Sequence, residues 1–286
     1  MDHFHIRSNF IPGVLELGLV TRRREYLAWA RQSDERAREF GSSCGWFPEG
    51  LSHRHGEVCC TTDMLEIALN LGLHIDPLYL ADAERFGRNY FLESQFHSLE
   101  RLCAAVSRLP EEPVEIDEMM STGAGVTESQ IGGFAARSTL NDTLHLDATA
   151  MMQCCNAAGT RGLYDRWRYA VTCEQGHPSG IAHIRVNVRL SVANEALFML
   201  SHEPKEGRLD GRPARDAENA VCIPEGERAV WVTIPDGSQT TVMAARGFVV
   251  FEAQGGQTIQ LTYPLVDRES IFWIGPSENR LECSGL

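Results

Sequence analysis

Four residues in two short motifs carry the clearest chemistry of this sequence: Glu57 and Cys59 in "GEVCC", and Cys154 and Cys155 in "QCCNAAGTR". Three thiolates and one carboxylate are a sensible tetrahedral set for zinc, which takes sulfur, nitrogen and oxygen donors in closed four-coordinate sites. Glu57 and Cys59 stand two apart, just ahead of a predicted helix start, so an extended segment would point both toward one spot. Cys154 and Cys155 would supply the other pair from a distant loop. The spacing alone is not diagnostic, because a bare Cys-Cys pair is a weaker signal than Cys-x-x-Cys. The competing reading is that these thiols are buried and pack as small hydrophobes. On extended backbone Cys60 would point away from Cys59, which leaves it outside the set.

Other polar and aromatic residues cluster near the first motif. His53 and His55 in "SHRHGE" would put both rings on one face of a strand, where they could bind metal or line a pocket, or else belong to a plain polar loop. Trp46 and Phe47, beside Glu49, could stack on a sugar face or simply pack in a core. Asn156 and Arg161 follow the Cys-Cys pair closely enough to orient its members through hydrogen bonds. Cys44, Cys103, Cys173, Cys222 and Cys283 read as packed or surface thiols.

The elements that must position these groups change character along the chain. Up to about residue 165 the pattern is helical. "TRRREYLAWARQSDERAREF" (21–40) places Tyr26, Leu27, Ala30 and Ala37 near one face. A second helix is predicted over 61–73, with Thr62 or Asp63 able to cap its start. A third is predicted over 76–96, with Pro77 in its first turn. Glycine-rich loops at 40–57 and 119–134 separate them, and loops of that length in a compact domain commonly carry function. Beyond residue 165 the period becomes two. "IAHIRVNVRLSV" (181–192) sets Ile184, Val186, Val188 and Leu190 against His183, Arg185, Asn187 and Arg189, as for a strand exposed on one face. Further strands are predicted over 228–237, 247–253 and 258–265, a spacing that suggests a β-sandwich.

Composition narrows the function classes. The 286 residues suffice for one large domain or two ordinary ones. With 43% hydrophobic and 23% charged residues the chain has the balance of a packed globular protein. Its formal charge of -13 gives it no electrostatic reason to hold a phosphate backbone, which argues against nucleic acid as a partner. No apolar run approaches a membrane span, and "MDHFHIRSNF" lacks the pattern of a signal peptide. Nine unevenly spaced cysteines argue against a secreted disulfide framework and for a reducing, cytoplasmic setting.

Taken together, "GEVCC" and "QCCNAAGTR" resemble the paired metal motifs of glycoside hydrolase family 127, the β-L-arabinofuranosidases, and its uncharacterised relatives. The resemblance extends to "HFHIRSNFIPGVLELGLVTRRREYLAWA", to "CGWFPEG", and to "RVNVRLSVAN" and "WVTIPDG". It implies Glu57, Cys59, Cys154 and Cys155 as zinc ligands and Cys154 as the attacking sulfur. A carboxylic acid would protonate the leaving oxygen and then activate water, so that two inversions give net retention. For that carboxylate the resemblance implies Glu49, although the gap from Glu49 to Glu57 is shorter than in the family. It implies His5, with His3 as competitor, as the substrate-contacting histidine; His55 and Trp46, on their own chemistry, are further substrate-binding candidates.

The fold implied is α+β and multidomain. Residues 1–165 would form the C-terminal half of an (α/α)6 barrel carrying the catalytic site, and 166–286 a β-sandwich, incomplete at its end. Half a helical toroid exposes a large apolar inner face, so self-association, or a second chain completing the barrel, is expected, as is a carbohydrate substrate. The competing function classes are a non-catalytic, zinc-stapled fragment and a carbohydrate-binding protein that uses the β-half.

Overall fold

Among the described residues, helices predominate up to Tyr169 and strands after it. The structure, a computed structural model, describes residues 3–50, 55–108, 125–139, 151–174, 181–203, 206–223, 229–234, 236–244, 247–265, 268–274 and 277–283. The helices are α1 (Phe4–Ser8), α2 (Phe10–Thr21), α3 (Arg24–Arg38), α4 (Val58–His74), α5 (Tyr79–Phe86), α6 (Leu99–Val106), α7 (Val126–Ser129) and α8 (Gln153–Tyr169). A π-helical turn, Gly87–Phe91, continues α5. Two short strands, β1 (Gly56–Glu57) and β2 (Arg137–Ser138), pair among the helices.

The centre of the helical part is α4. Fourteen of its 17 residues are buried, so it is enclosed on all sides, as a helix apolar around most of its circumference must be. Helices α1, α2, α5 and α8 pack against it. This helix starts three residues earlier than its periodicity predicts, and Glu57 rather than Thr62 or Asp63 occupies the N-cap. The threonines are spent elsewhere: Thr61 donates to the Gly45 carbonyl at 2.6 Å and Thr62 to that of Val58 at 2.9 Å. Helix α8 comes close to its neighbours at Gly159, where a Cβ would stand 2.3 Å from the Phe134 ring.

The later strands are β3 (Val171–Glu174), β4 (Ala182–Val186), β5 (Val192–Ala193), β6 (Leu197–Ser201), β7 (Arg208–Pro213), β8 (Ala217–Cys222), β9 (Ala229–Thr233), β10 (Gln239–Met243), β11 (Phe248–Ala253), β12 (Ile259–Thr262), β13 (Arg268–Ile274) and β14 (Ser277–Cys283). Six form an antiparallel sheet in the order β10-β9-β12-β7-β6-β5, four form a sheet in the order β11-β8-β4-β3, and β13 pairs with β14. Only the β4–β8 pairing is parallel among the described ladders. A cavity lined by Val186 and Val221 of the smaller sheet and Leu197, Leu209 and Leu261 of the larger shows their apolar faces meeting. Alternation holds in β4, where Ala182, Ile184 and Val186 are buried. It fails just beyond: Asn187 and Arg189, expected on a solvated face, are buried. Asn187 donates to the Tyr169 carbonyl at 2.9 Å, and Arg189 enters an ion-pair network.

Candidate active site

The two cysteine motifs meet because α4 and α8 run side by side in the same direction. Cys59 lies near Cys155, and two or so turns on a Cβ at Gly162 would touch Thr62. Both N-termini therefore open at one place, and the positive ends of two helix dipoles face the donor atoms there. Cys154 and Cys155 belong to the first turn of α8 and not to a loop. Likewise Cys59 is in the first turn of α4, while only Glu57 ahead of it is extended, at φ -118° and ψ 143°.

The donor atoms of Glu57, Cys59 and Cys155 lie within 4.8 Å of one another, and all three residues are buried. Cys59 Sγ donates to Glu57 Oε2 at 3.2 Å, and Cys155 Sγ stands 3.9 Å from Cys59 Sγ. Cys154 Sγ is 3.8 Å from Cys155 Sγ, but its residue is exposed and lies outside that close group. Cys60 is buried and also outside it. The protein alone holds these thiols protonated. For Cys59 the hydrogen bond with Cys155 works the other way, but Cys60, burial and the Glu57 carboxylate push its thiol up. The bond with Cys59, burial and Glu57 do the same for Cys155, and burial and Cys155 do so for Cys154.

A hairpin-like loop brings in the second carboxylate. Pro48 bridges to Gly56, and the Glu49 amide donates to the His55 carbonyl at 3.0 Å. Only glycine fits at position 56, since a Cβ there would lie 2.4 Å from the Phe47 carbonyl oxygen. Glu49 itself is 6% exposed. His55 Nε2 hydrogen-bonds its carboxylate, and Arg137 Nη2 donates to the other oxygen at 3.0 Å. Burial would raise the Glu49 pKa, but the His55 hydrogen bond and the Arg137 charge outweigh it and lower it. The Phe4 amide donates to the Glu49 carbonyl at 2.6 Å and so fastens α1, with its two histidines, to the site. His3 Nε2 is 3.2 Å from Glu57 and 3.9 Å from Glu49. His5 Nδ1 lies 2.7 Å from Asp63 Oδ2.

Thus Glu49, His3 and His55 gather with Glu57, Cys59, Cys154 and Cys155, and His5 stands beside them. Trp46 does not present a ring for stacking. It is 1% exposed, and its indole N–H donates to the Ser138 carbonyl at 3.3 Å, bracing β2 from behind. His53 lies outside the described residues. Cys44, expected as a thiol, is disulfide-bonded. Arg161 bonds Asp63 at 3.1 Å and Glu66 at 3.2 Å.

Sequence reasoning missed Arg137 and the role of Asp63. Arg137 faces Glu57 across the β1–β2 pair, and the one local hint is an arginine in the short apolar run "GGFAARS".

Three solved structures are similar to this architecture. A family-127 β-L-arabinofuranosidase from Geobacillus stearothermophilus T6 superposes with a TM-score of 0.55 at 14% identity, covering 94% of this chain and 44% of that one. A second family-127 β-arabinofuranosidase gives 0.59 at 12% identity, over 97% of this chain and 46% of that one. A third structure, a glycoside hydrolase, gives 0.52 at 15% identity, over 96% and 48%. The chain shares the fold of these glycosidases. It spans under half the length of each. No protein-family model matches the sequence, and no curated protein matches it either. Among the described residues no helix is long and apolar enough to cross a membrane.

Proposed function

We propose that this chain is a zinc-dependent retaining glycoside hydrolase acting on an arabinofuranoside or a similar sugar. In this reading residues 1–165 are part of an (α/α)6 barrel and 166–286 a β-sandwich. The observation that carries it is the convergence of the two cysteine motifs beside Glu49, at two helix N-termini, in a fold shared with glycosidases. The donor set suits zinc. Zinc–sulfur bonds of about 2.3 Å imply S···S edges of about 3.8 Å in a tetrahedron, and the Cys59–Cys155 and Cys154–Cys155 separations are 3.9 and 3.8 Å. Glu57, Cys59, Cys154 and Cys155 would hold the ion. When bound, it keeps its thiolate ligands ionised at neutral pH.

Cys154, the exposed member, is the nucleophile: its sulfur bonds to the anomeric carbon as the glycosidic carbon–oxygen bond breaks. Protonated Glu49 delivers its proton to the leaving oxygen and is left ionised. In the second step Glu49 takes a proton from the attacking water and the carbon–sulfur bond breaks, restoring the thiolate and the protonated acid. The hydrogen bond from His55 and the Arg137 charge favour the carboxylate form that the second step needs. His3, His5 and His55 provide polar contacts for sugar hydroxyls. A second copy, or another chain, would cover apolar residues such as Phe10 and Val20, which are 66% and 84% exposed. The free thiols fit a reducing, cytoplasmic setting, while the disulfide at Cys44 does not.

The test is metal content together with hydrolysis of p-nitrophenyl β-L-arabinofuranoside. Wild type is expected to hold about one zinc per chain, with less in Cys154→Ala. Glu49→Gln should keep its zinc and lose roughly 10²–10⁴-fold in kcat. A folded chain without zinc would sink the metal assignment. Zinc without turnover on any furanoside would favour a non-catalytic zinc staple.

A further inference from the structure

One turn along α4 from Cys59 lies Asp63, a fully buried carboxylate with three donors on it. His5 Nδ1 is 2.7 Å from Oδ2, the Ser8 hydroxyl donates to the same oxygen at 2.6 Å, and Arg161 Nη2 donates to Oδ1 at 3.1 Å. A buried carboxylate is costly unless its oxygens are satisfied, and here two elements, α1 and α8, converge to satisfy them. We infer that Asp63, locked by Ser8 and Arg161, is a positioning residue that fixes the His5 ring through Nδ1 and leaves Nε2 to bind a hydroxyl of the sugar.

The physical argument runs through the tautomer. An ionised carboxylate accepts only, so Nδ1 must carry a hydrogen and Nε2 is the nitrogen left for a ligand. Because Ser8 and Arg161 occupy the carboxylate from two sides, it cannot rotate, and the imidazole is held before the sugar arrives. The ring is reachable, with its side chain 24% exposed. The charged and titratable groups facing it are Asp63, Glu57 and Arg161, together with His3, whose ring centroid is 6.2 Å away. The Asp63 hydrogen bond raises the His5 pKa against the effect of burial, which widens the range in which Nε2–H donates. The sugar as ligand rests on the glycosidase reading; the Asp63–His5 geometry does not.

The experiment is nitrogen-15 NMR of the full chain labelled in histidine, with L-arabinose as probe, alongside furanoside kinetics. In wild type, Nδ1 of His5 should stay protonated at neutral pH and Nε2 should shift on adding L-arabinose. Asp63→Asn should release Nδ1 and raise KM about tenfold, with kcat within about threefold and zinc content unchanged. If that variant does not fold, Ser8→Ala should raise KM by about threefold. An unprotonated Nδ1 in wild type, no Nε2 shift at saturating sugar, or unchanged KM in the variant that folds would each overturn the inference. A wild type that shifts with L-arabinose but hydrolyses no furanoside would end the glycosidase reading and leave this inference standing.

Discussion

At the α4–α8 site, donors of one sign from Glu57, Cys59 and Cys155 are buried together, whereas at the junction of helices and sheets Glu84 and Glu203 are buried with Arg88, Arg166 and Arg189. At the junction each carboxylate meets arginines, while the buried Arg166 guanidinium has no hydrogen-bond partner among the described residues. Arg88 bonds both glutamates, Arg189 Nε meets Glu203 at 3.1 Å, and the Arg189 amide donates to Glu84 at 3.0 Å. Burial would raise the Glu84 pKa, but Arg88, Arg189 and Arg166 hold it well below the usual carboxylate range. At the α4–α8 site the opposite happens: burial and neighbouring acceptors push the thiols up, and a cation would reverse that. A closed set of opposite charges serves as scaffold, while a set of like donors needs something from outside.

That contrast can be broken from either side. Arg189→Met removes one member of the set and leaves Glu203 to Arg88 and Tyr263, so a loss of about 3 kcal/mol in unfolding free energy, the low end for a broken buried pair, is expected by urea titration, with metal content unchanged. A loss below about 1 kcal/mol would mean the junction is not the scaffold described. Cys59→Ser should behave in the reverse way. Without metal its stability should fall by only about 1 kcal/mol. The metal-dependent stabilisation of wild type, about 4 kcal/mol at a thousandfold excess over Kd, should vanish. Thermal unfolding with and without a chelator reads this directly, and a chelator effect that persists in Cys59→Ser would remove Cys59 from the metal site.

Much of this division was legible in the sequence, and what was not has a physical reason. The strands predicted over 228–237, 247–253 and 258–265 contain β9, β11 and β12, because alternation is a local signal. The ligand motifs could be named because their residue types are rare and close in sequence. Their setting could not, since a cysteine pair reads alike in a loop and at a helix start. Arg189 continued an alternating pattern and was read as solvated, yet it is buried, against Glu203 and Tyr263 from segments further along the chain. Arg137 and Asp63 escaped for the same reason, as their partners lie 88 and 58 residues away, and no periodicity encodes pairings of that range.

Asp34 on α3 is the intermediate case, a buried acid with one shared partner, and it sharpens the comparison with the smallest effect. Arg38 Nε meets it at 2.8 Å, but Arg38 Nη1 also serves Asp82 at 2.5 Å. Burial therefore outweighs the arginine and pushes Asp34 up to about 6 from the usual 3.8 of an aspartate. Since the folded value is the higher one, the native state holds the extra proton between those limits, and stability falls as pH rises through that window. The full cost, about 3 kcal/mol, is present above pH 6 or so. Asp34→Asn carries no such titration. Its stability relative to wild type should accordingly worsen by about 3 kcal/mol as pH drops from about 7 to about 4, measured by urea unfolding at both ends. Parallel curves would mean that Arg38 satisfies Asp34 as fully as the junction arginines satisfy Glu84, and the intermediate case would join the closed one.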